Sequence, residues 1–166
     1  METNLNFQIR RAVETDAPEI ALLLHKAFVE YKLLYTPGGF AATVLTPEQV
    51  VTRMREGPVW IVVHDDSVVA TGAAVQKDAG LYIRGMAVAP EARGGRIGEL
   101  LLHEVERFAK EGRVQRLFLS TTPFLTRAIR LYEKWGFQRT TEGPHDLFGT
   151  PLFTMEKFPD DITEHR

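Results

Sequence analysis

The segment from Leu81 to Ser120 constrains the fold most, because its pattern predicts a strand, a helix and a second strand in succession. Leu81 to Val88 is an apolar run that stops before Pro90, and Val114 to Ser120 is another. The helix between them, around Ile97 to Lys110, has apolar residues at helical spacing on one face and charged residues on the other. A connection of this kind joins parallel strands, so the sheet must contain one parallel pair.

The remaining sequence predicts further strands and helices around this unit. The predicted order is β-α-α-β-β-β-α-β-α-β-β, which favours an α/β (α+β) fold: a central mixed sheet with helices on both faces. Ile20, Leu24, Ala27, Phe28 and Tyr31 recur at helical spacing and predict the first helix. A Thr-Pro-Gly-Gly sequence at residues 36–39 is a strong helix breaker and predicts that this helix ends before it. The other predicted elements are a strand from Phe7 to Val13, a helix from Pro47 to about Arg55, a hairpin of Val59 to Val63 with Val68 to Val75, a helix from Thr126 to Trp135, and late strands near Phe137 and Phe153.

Length and charge limit the classes of function that are open to the chain. The 166 residues predict a single domain over residues 1–158, followed by a polar tail at 159–166. A formal charge of -2 provides no global positive field, so no nucleic-acid partner is expected. The absence of cysteine excludes disulfides, thiolate metal sites and a cysteine nucleophile.

The start of the chain has neither a positively charged segment nor an apolar run. Apolar stretches elsewhere are too short to span a membrane. We therefore expect a soluble cytoplasmic protein without a membrane partner.

A loop rich in glycine and arginine joins the strand ending at Val88 to the helix that begins near Ile97. Free N–H groups of the first helical turn, around Gly94 to Gly98, would converge on a spot with partial positive charge, which is typical of a phosphate site. The alternative is a turn that only changes direction, with Arg93 and Arg96 solvated. The loop lacks the Gly-Lys-Ser/Thr of a Walker loop and the Gly-x-Gly-x-x-Gly of a dinucleotide site.

Two segments together resemble the GNAT superfamily of N-acetyltransferases. Arg93-Gly94-Gly95-Arg96-Ile97-Gly98 is similar to the acetyl-CoA signature Arg/Gln-x-x-Gly-x-Gly/Ala. Ala128-Ile129-Arg130-Leu131-Tyr132-Glu133-Lys134-Trp135-Gly136-Phe137 resembles the Ala-x-x-Leu-Tyr-x-x-x-Gly-Phe segment of that family. The sequence departs from the family pattern at Arg96, where the signature has its first glycine, and at Leu125, where an asparagine is often found. The likeness extends from Phe7 to about Met155.

The resemblance implies a GNAT-like fold, acetyl-CoA as co-substrate and no metal. It places the pyrophosphate on Arg93, Gly94, Gly95, Arg96, Ile97 and Gly98. The backbone of Met86, Ala87 and Val88 would hydrogen-bond the pantetheine arm and the thioester carbonyl. A backbone N–H aimed at that carbonyl stabilises the oxyanion that develops there.

The resemblance makes Tyr132 the general acid for the departing CoA thiolate, in a direct transfer to a small-molecule or peptide amine within a ternary complex. A phenol near pKa ~10 is protonated at neutral pH and can donate to a thiolate near ~8.5. By its spacing alone, Tyr132 is equally a core residue on the apolar stripe of its helix. Dimers are frequent among relatives, so the resemblance also allows a homodimer.

The sequence assigns no general base, because Leu81 to Met86 contains no acid where many family members have a glutamate. Glu30 is a candidate with a solvated surface role as its alternative, and His25 and the His145-Asp146 pair are weaker candidates. The segment from Tyr31 to Leu45 is an aromatic lid or a plain helix connection, and with residues 141–150 it would set acceptor specificity. Two other functions stay open: a CoA-binding regulatory module without catalysis, and an unrelated phosphate-binding α/β enzyme.

Overall fold

Eight strands, five α-helices and three short 3-10 helices make up the described part of the computed structural model, which covers residues 6–143 and 145–159. The strands are β1 (Phe7–Arg11), β2 (Val59–His64), β3 (Ser67–Lys77), β4 (Gly80–Val88), β5 (Leu117–Thr121), β6 (Gln138–Arg139), β7 (His145–Leu147) and β8 (Thr150–Lys157). The α-helices are α1 (Ala17–Phe28), α2 (Pro37–Thr43), α3 (Pro47–Glu56), α4 (Ile97–Glu111) and α5 (Thr126–Lys134). The polar tail predicted at 159–166 lies outside the described residues except for Pro159.

The strands form one mixed sheet in the order β1-β2-β3-β4-β5-β8-β6, with β7 paired to β8. The predicted parallel pair is confirmed, since β4 and β5 run parallel and α4 connects them. The other neighbours in the sheet are antiparallel. The predicted fold class is therefore confirmed.

Apolar side chains cover both faces of the sheet because residues alternate along each strand. On β2, Trp60 and Val62 belong to a core with α4 and α5. Val59 and Ile61, from the same strand, belong to a second core with α1 and α3. Helices therefore pack on both faces, as the sequence predicted.

Local sequence explains where several elements begin and turn. Thr46 caps α3, since its hydroxyl accepts from the Gln49 N–H at 3.2 Å while the Gln49 side chain accepts from the Thr46 N–H at 2.9 Å. Between β2 and β3, Asp65 and Asp66 both have positive φ, of 51° and 64°. This pair of left-handed residues matches the turn that joins tightly twisted hairpin strands.

The prediction that the first helix ends before residues 36–39 is confirmed, but the sequence did not predict that these residues begin a new helix, α2. Thr36 accepts from the Gly39 N–H at 2.9 Å, and Pro37 occupies the first helical position, where its missing N–H is harmless. The first helix does end early, at Phe28, and continues as a 3-10 helix over Val29–Leu34. The short strand β7 was not predicted from the sequence, because its register depends on β8.

The strand predicted from Val114 begins instead at Leu117. Arg113 has a φ of +59°, so the chain leaves α4 through a left-handed turn and reaches the sheet four residues later, at Leu117.

Candidate active site

A cleft of about 650 Å³ opens where β4 and β5 separate, between the start of α4 and helix α5. Nine of the ten site residues predicted from the sequence line this cleft; Gly95 is the exception. They are Met86, Ala87, Val88, Arg93, Gly94, Arg96, Ile97, Gly98 and Tyr132. The fold therefore gathers segments far apart in the chain around one cavity.

Strand β4 separates from β5 halfway along its length. Their parallel pairing covers only Leu81 to Ile83, so the second half of β4 has no partner on that side among the described residues. On the other side, Thr71 pairs with Ala87 and Ala73 with Arg84, which leaves one extra residue on β4. Gly85 occupies this bulge with a φ of +67°. The bulge explains why the apolar alternation of β4 is irregular, and it leaves backbone N–H and C=O groups facing the cleft.

The loop before α4 forms a concave turn of backbone N–H groups. Gly94 has a φ of +85°, and Arg96, at the helix N-cap, has a φ of +67°. Positive φ at these two positions curls the chain just before α4, and the first helical turn leaves its own N–H groups without partners. Arg96 therefore adopts the conformation that glycine adopts most easily, which explains physically why the family pattern has glycine there.

Charged side chains surround this turn. We call this part of the cleft the outer end; its lining residues are Arg93, Gly94, Arg96, Ile97, Gly98, Glu99 and Lys134. Each cation here has a carboxylate partner. Arg93 Nη1 lies 2.8 Å from Glu30 Oε1, Lys134 Nζ lies 2.5 Å from Glu99 Oε2, and Arg96 Nε lies 3.3 Å from Glu99 Oε1. Hydrogen bonding to Lys134 lowers the pKa of Glu99, so the Glu99 carboxylate is ionised at neutral pH.

Tyr132 projects from α5 into the cleft and is buried, with 6% of its surface exposed. Among the described residues its hydroxyl has no hydrogen-bond partner, and the ring packs on Phe137 at a centroid distance of 5.9 Å. Burial, followed by Tyr82 and Tyr35, raises the pKa of Tyr132 well above its ordinary value. The phenol is therefore protonated at neutral pH and can donate a proton or a hydrogen bond.

The opposite part of the cleft, lined by Arg53, Arg84 and Gly85 together with Tyr35 and Tyr82, is called the inner end. Arg84 is paired with Glu56, while its Nε is buried without a partner among the described residues. Arg53 comes from α3 and was not predicted as a site residue. Arg53 lies three residues after buried Val50 and therefore on the same, apolar face of α3. A charged residue on an apolar helix face is the sequence signal that could have identified it.

The candidate bases lie away from the cleft lining. Glu30 is in the ion pair with Arg93, and His25 packs edge-on to Phe40 at 6.5 Å. Asp146 accepts from the Gly149 N–H at 2.6 Å and so holds the β7–β8 turn. Among the described residues that line the cleft, Glu99 at the outer end is the one carboxylate.

The segment from Tyr31 to Leu45 is ordered into helices and packs against the core. Tyr35 is 7% exposed and meets Phe124 at a centroid distance of 4.9 Å. Tyr31 also lines the cleft, and its hydroxyl accepts from Arg127 Nη1 at 3.1 Å. The interpretation as a helix connection therefore fits the structure, and this connection forms one wall of the inner end.

Comparison with known proteins identifies the class to which this fold and cleft belong. The model of the Acetyltransferase (GNAT) family matches residues 25–137, which is more than half of the chain. The chain belongs to the GNAT family of acyl-CoA-dependent N-acetyltransferases, so the resemblance seen in the two motifs is confirmed. This match excludes the alternative of an unrelated phosphate-binding enzyme.

Particular relatives extend the likeness beyond the family match. An IAA acetyltransferase of Azospirillum brasilense is 38% identical over 94 residues, which cover 55% of this chain and 61% of that protein. The N-acetyltransferase YjgM of Escherichia coli K12 is 28% identical over 135 residues, covering 78% of this chain and 81% of the other. The PaiA N-acetyltransferase of Thermoplasma acidophilum, solved in complex with coenzyme A, superposes with a TM-score of 0.79 at 16% identity, covering 93% of this chain and 99% of the other.

In the part of the chain that the structure describes, no helix combines the length and apolar character that crossing a membrane requires.

Proposed function

We propose that the protein transfers an acetyl group from acetyl-CoA directly to an amine within a ternary complex. The observation that carries this proposal is the single cleft that joins the N–H turn before α4, the unpaired half of β4 and the hydroxyl of Tyr132. These are the three functions that the reaction needs: an anion site, a carbonyl site and a proton donor. The absence of cysteine agrees with direct transfer, because no acetyl-cysteine intermediate can form.

At the outer end, the N–H groups of Gly94 to Gly98 and the Arg93 guanidinium bind the diphosphate of the co-substrate. A Cβ at Gly94 would meet nothing within 4 Å, so the cradle is open to a ligand. Helix-end N–H groups are each worth only about 0.3–1 kcal/mol, and several must converge for useful affinity. The left-handed residues at 94 and 96 bring about that convergence.

Along β4, the backbone of Met86 to Val88 binds the amides of the arm and the thioester carbonyl. These groups are free to do so because β4 has left its partner strand after Ile83. An N–H that already points at the carbonyl stabilises charge developing on its oxygen without reorganisation.

Tyr132 donates the proton that the leaving sulfur requires. The acceptor nitrogen forms a bond to the acetyl carbon, the bond from that carbon to sulfur breaks, and the sulfur takes the phenolic proton. The nitrogen loses its own proton to water, since the cleft lining at the inner end contains no carboxylate or imidazole among the described residues. General acid help of this kind is worth about 10²–10⁴-fold in rate.

The lack of a base at the inner end also favours a second candidate, a CoA-binding regulatory module without catalysis. The test is to mix the protein with acetyl-CoA and a panel of amines and to measure free CoA. Release that depends on the amine supports the enzyme. Tight acetyl-CoA binding by calorimetry without release over amino acids, peptides, polyamines and aminoglycosides would favour the module instead.

A further inference from the structure

We propose that the acceptor amine carries a carboxylate group and that Arg53 binds it, so that the substrate is an amino acid or a similar amine with an apolar body. The inference rests on the proposed acetyl transfer and names the class of acceptor for that same site.

The guanidinium of Arg53 lies directly against the bulge of β4. A Cβ built on Gly85 would come within 2.5 Å of Arg53 Nη1, so only a glycine with its φ of +67° lets the side chain approach this closely. Gly85 follows the last residues of β4 that pair with β5, and both residues line the cleft. Arg53 therefore stands at the point where the cleft begins to open between the strands.

Arg53 has no counter-ion within ion-pair distance among the described residues, although it is partly buried. Burial, together with the neighbouring charge of Arg84, lowers the pKa of Arg53 to about 10, which still leaves the group charged at neutral pH. Glu56 forms its ion pair with Arg84, and its charge acts on Arg53 only from beyond ion-pair distance. Arg127 also lines the cleft and has no carboxylate partner among the described residues, but it is exposed and its Nη1 donates to the Tyr31 hydroxyl. Arg53 is therefore the sheltered cation at the inner end without an ion pair, and such a cation is unfavourable until an anion binds.

The phosphates of acetyl-CoA do not compensate the charge of Arg53. They are bound at the outer end, beyond Val88, and a strand rises about 3.3 Å per residue, so Arg84 lies roughly 13 Å further along β4. The pantetheine arm of acetyl-CoA, which would lie between the two ends, carries amides and no charge. The uncompensated cation is thus on the acceptor side of the thioester site.

A carboxylate matches the chemistry of the inner end better than a second amine or a phosphate. The planar guanidinium fork binds a carboxylate with two parallel hydrogen bonds. A polyamine would bring another cation toward Arg53 and Arg84, whereas a phosphate monoester would bring more negative charge than the single uncompensated cation balances. Around these groups the lining is apolar and aromatic, which suits an apolar side chain on the acceptor; the lining residues are Phe28, Tyr31, Tyr35, Leu125, Leu147 and Leu152.

The test is calorimetric binding of reaction products to the CoA-saturated protein. N-acetyl-leucine and N-acetyl-phenylalanine are compared with their amides, which differ only in the charged group. A charge-assisted hydrogen bond of about 1.5–3 kcal/mol predicts about 10–150-fold weaker binding of the amides. The Arg53→Met variant is expected to lose this selectivity while its Tm stays equal or rises, because an unpaired charge has been removed.

Two further variants separate recognition from folding. Arg55→Met is the matched control, since Arg55 lies on the same helix, is exposed and pairs with Glu14 outside the cleft; it should bind the acids as the unaltered protein does. Arg53→Lys keeps the positive charge but cannot donate the two parallel hydrogen bonds of a guanidinium, so it should retain part of the selectivity. Equal binding of acids and amides, or an Arg53→Met variant that keeps the selectivity, would overturn the proposal.

Activity on leucine, leucinamide and isoamylamine distinguishes this proposal from the proposed function. Acetylation of all three at similar kcat/KM would leave acetyl transfer standing and reject the carboxylate site. Acid-selective binding that depends on Arg53, without CoA release from any amine, would uphold the site and reject the transfer. Tighter binding of N-acetyl phosphoethanolamine than of the N-acetyl amino acids would also reject a carboxylate as the ligand.

Discussion

Both ends of the cleft carry positively charged side chains, but those at the outer end form ion pairs and Arg53 at the inner end does not. At the outer end each cation has a carboxylate partner: Arg93 pairs with Glu30, while Arg96 and Lys134 share Glu99. Arg96 is 81% exposed on its side chain, so its ion pair is worth little and exchanges readily. At the inner end, Arg53 is sheltered and has no such partner among the described residues.

The difference shows how one cavity can treat two ligands differently. At the outer end each cation is paired, and the side chains of Arg96 and Lys134 are 81% and 65% exposed, so loss of either ion pair would cost little. The sheltered cation at the inner end discriminates more strongly, because a missing anion there leaves a charge uncompensated in a poorly solvated place. Affinity would come mainly from the outer end and selectivity from the inner end.

The largest effect is expected between the two ends, at Tyr132. Replacement of Tyr132 by Phe removes the proton donor and should lower kcat by about 10²–10⁴-fold. Affinity for CoA should stay the same, because the ring and its packing on Phe137 remain. Burial raises the pKa of Tyr132, so the donor form persists as pH rises, and kcat of the unaltered protein should not fall up to about pH 10, where a free tyrosine ionises.

Stopped-flow or coupled assays of CoA release across this pH range check both statements. Glu133→Gln, exposed on the same helix, is the control and should keep its turnover. Full turnover in Tyr132→Phe would remove the acid assignment.

At the outer end, Arg93→Met should weaken CoA binding about tenfold, the equivalent of about 1.4 kcal/mol for one charge-assisted contact. Arg93 also donates to the Ala27 carbonyl at 3.2 Å, so the Tm is measured in parallel with the calorimetric Kd. The Kd of the variant should depend less steeply on salt concentration. Arg107→Met, on the solvent face of α4 and paired with Glu104, is the control; equal losses in both variants would show a general charge effect rather than a site.

A smaller effect is expected where α4 meets α5. A Cβ at Gly98 would lie 2.6 Å from Leu131 Cδ2, so Gly98→Ala displaces a side chain of the cleft wall. A cost of about 1 kcal/mol for this crowding corresponds to about fivefold weaker CoA binding. Gly112→Ala, at the other end of α4, meets nothing closer than 3.6 Å and should bind CoA normally. Unchanged affinity in Gly98→Ala would argue against close approach of a ligand to this helix turn.

The smallest change in affinity is expected at Arg96, the exposed cation. Arg96→Gly should alter the Kd for CoA by less than about twofold, because exposed ion pairs contribute little. It should raise the free energy of unfolding by about 1 kcal/mol, since glycine adopts positive φ without the cost that arginine bears. Arg113→Gly relieves a similar φ of +59° far from the outer end and is the stability control. A loss of affinity much above twofold at Arg96 would mean that its charge binds the ligand directly.

Most of the fold could be predicted because its signals are local. The capped start of α3, the hairpin turn at Asp65 and Asp66 and the crossover from β4 to β5 each depend on a few neighbouring residues. The start of α2 was missed because a Pro-Gly-Gly sequence usually interrupts a helix. Here Thr36 also accepts a hydrogen bond from the Gly39 N–H and contacts Thr150 across the fold, and that second contact is not visible in the local sequence.

The sequence by itself determined the family, the parallel strand pair and the positions of Arg93 to Gly98 and of Tyr132, because motif spacing and helical periodicity are properties of contiguous residues. The tertiary structure alone decided that Arg53 reaches the bulge at Gly85 and that no carboxylate of the described residues lies within ion-pair distance of it. Burial and the distance between charges depend on which elements pack together, and α3 and β4 meet only through the fold.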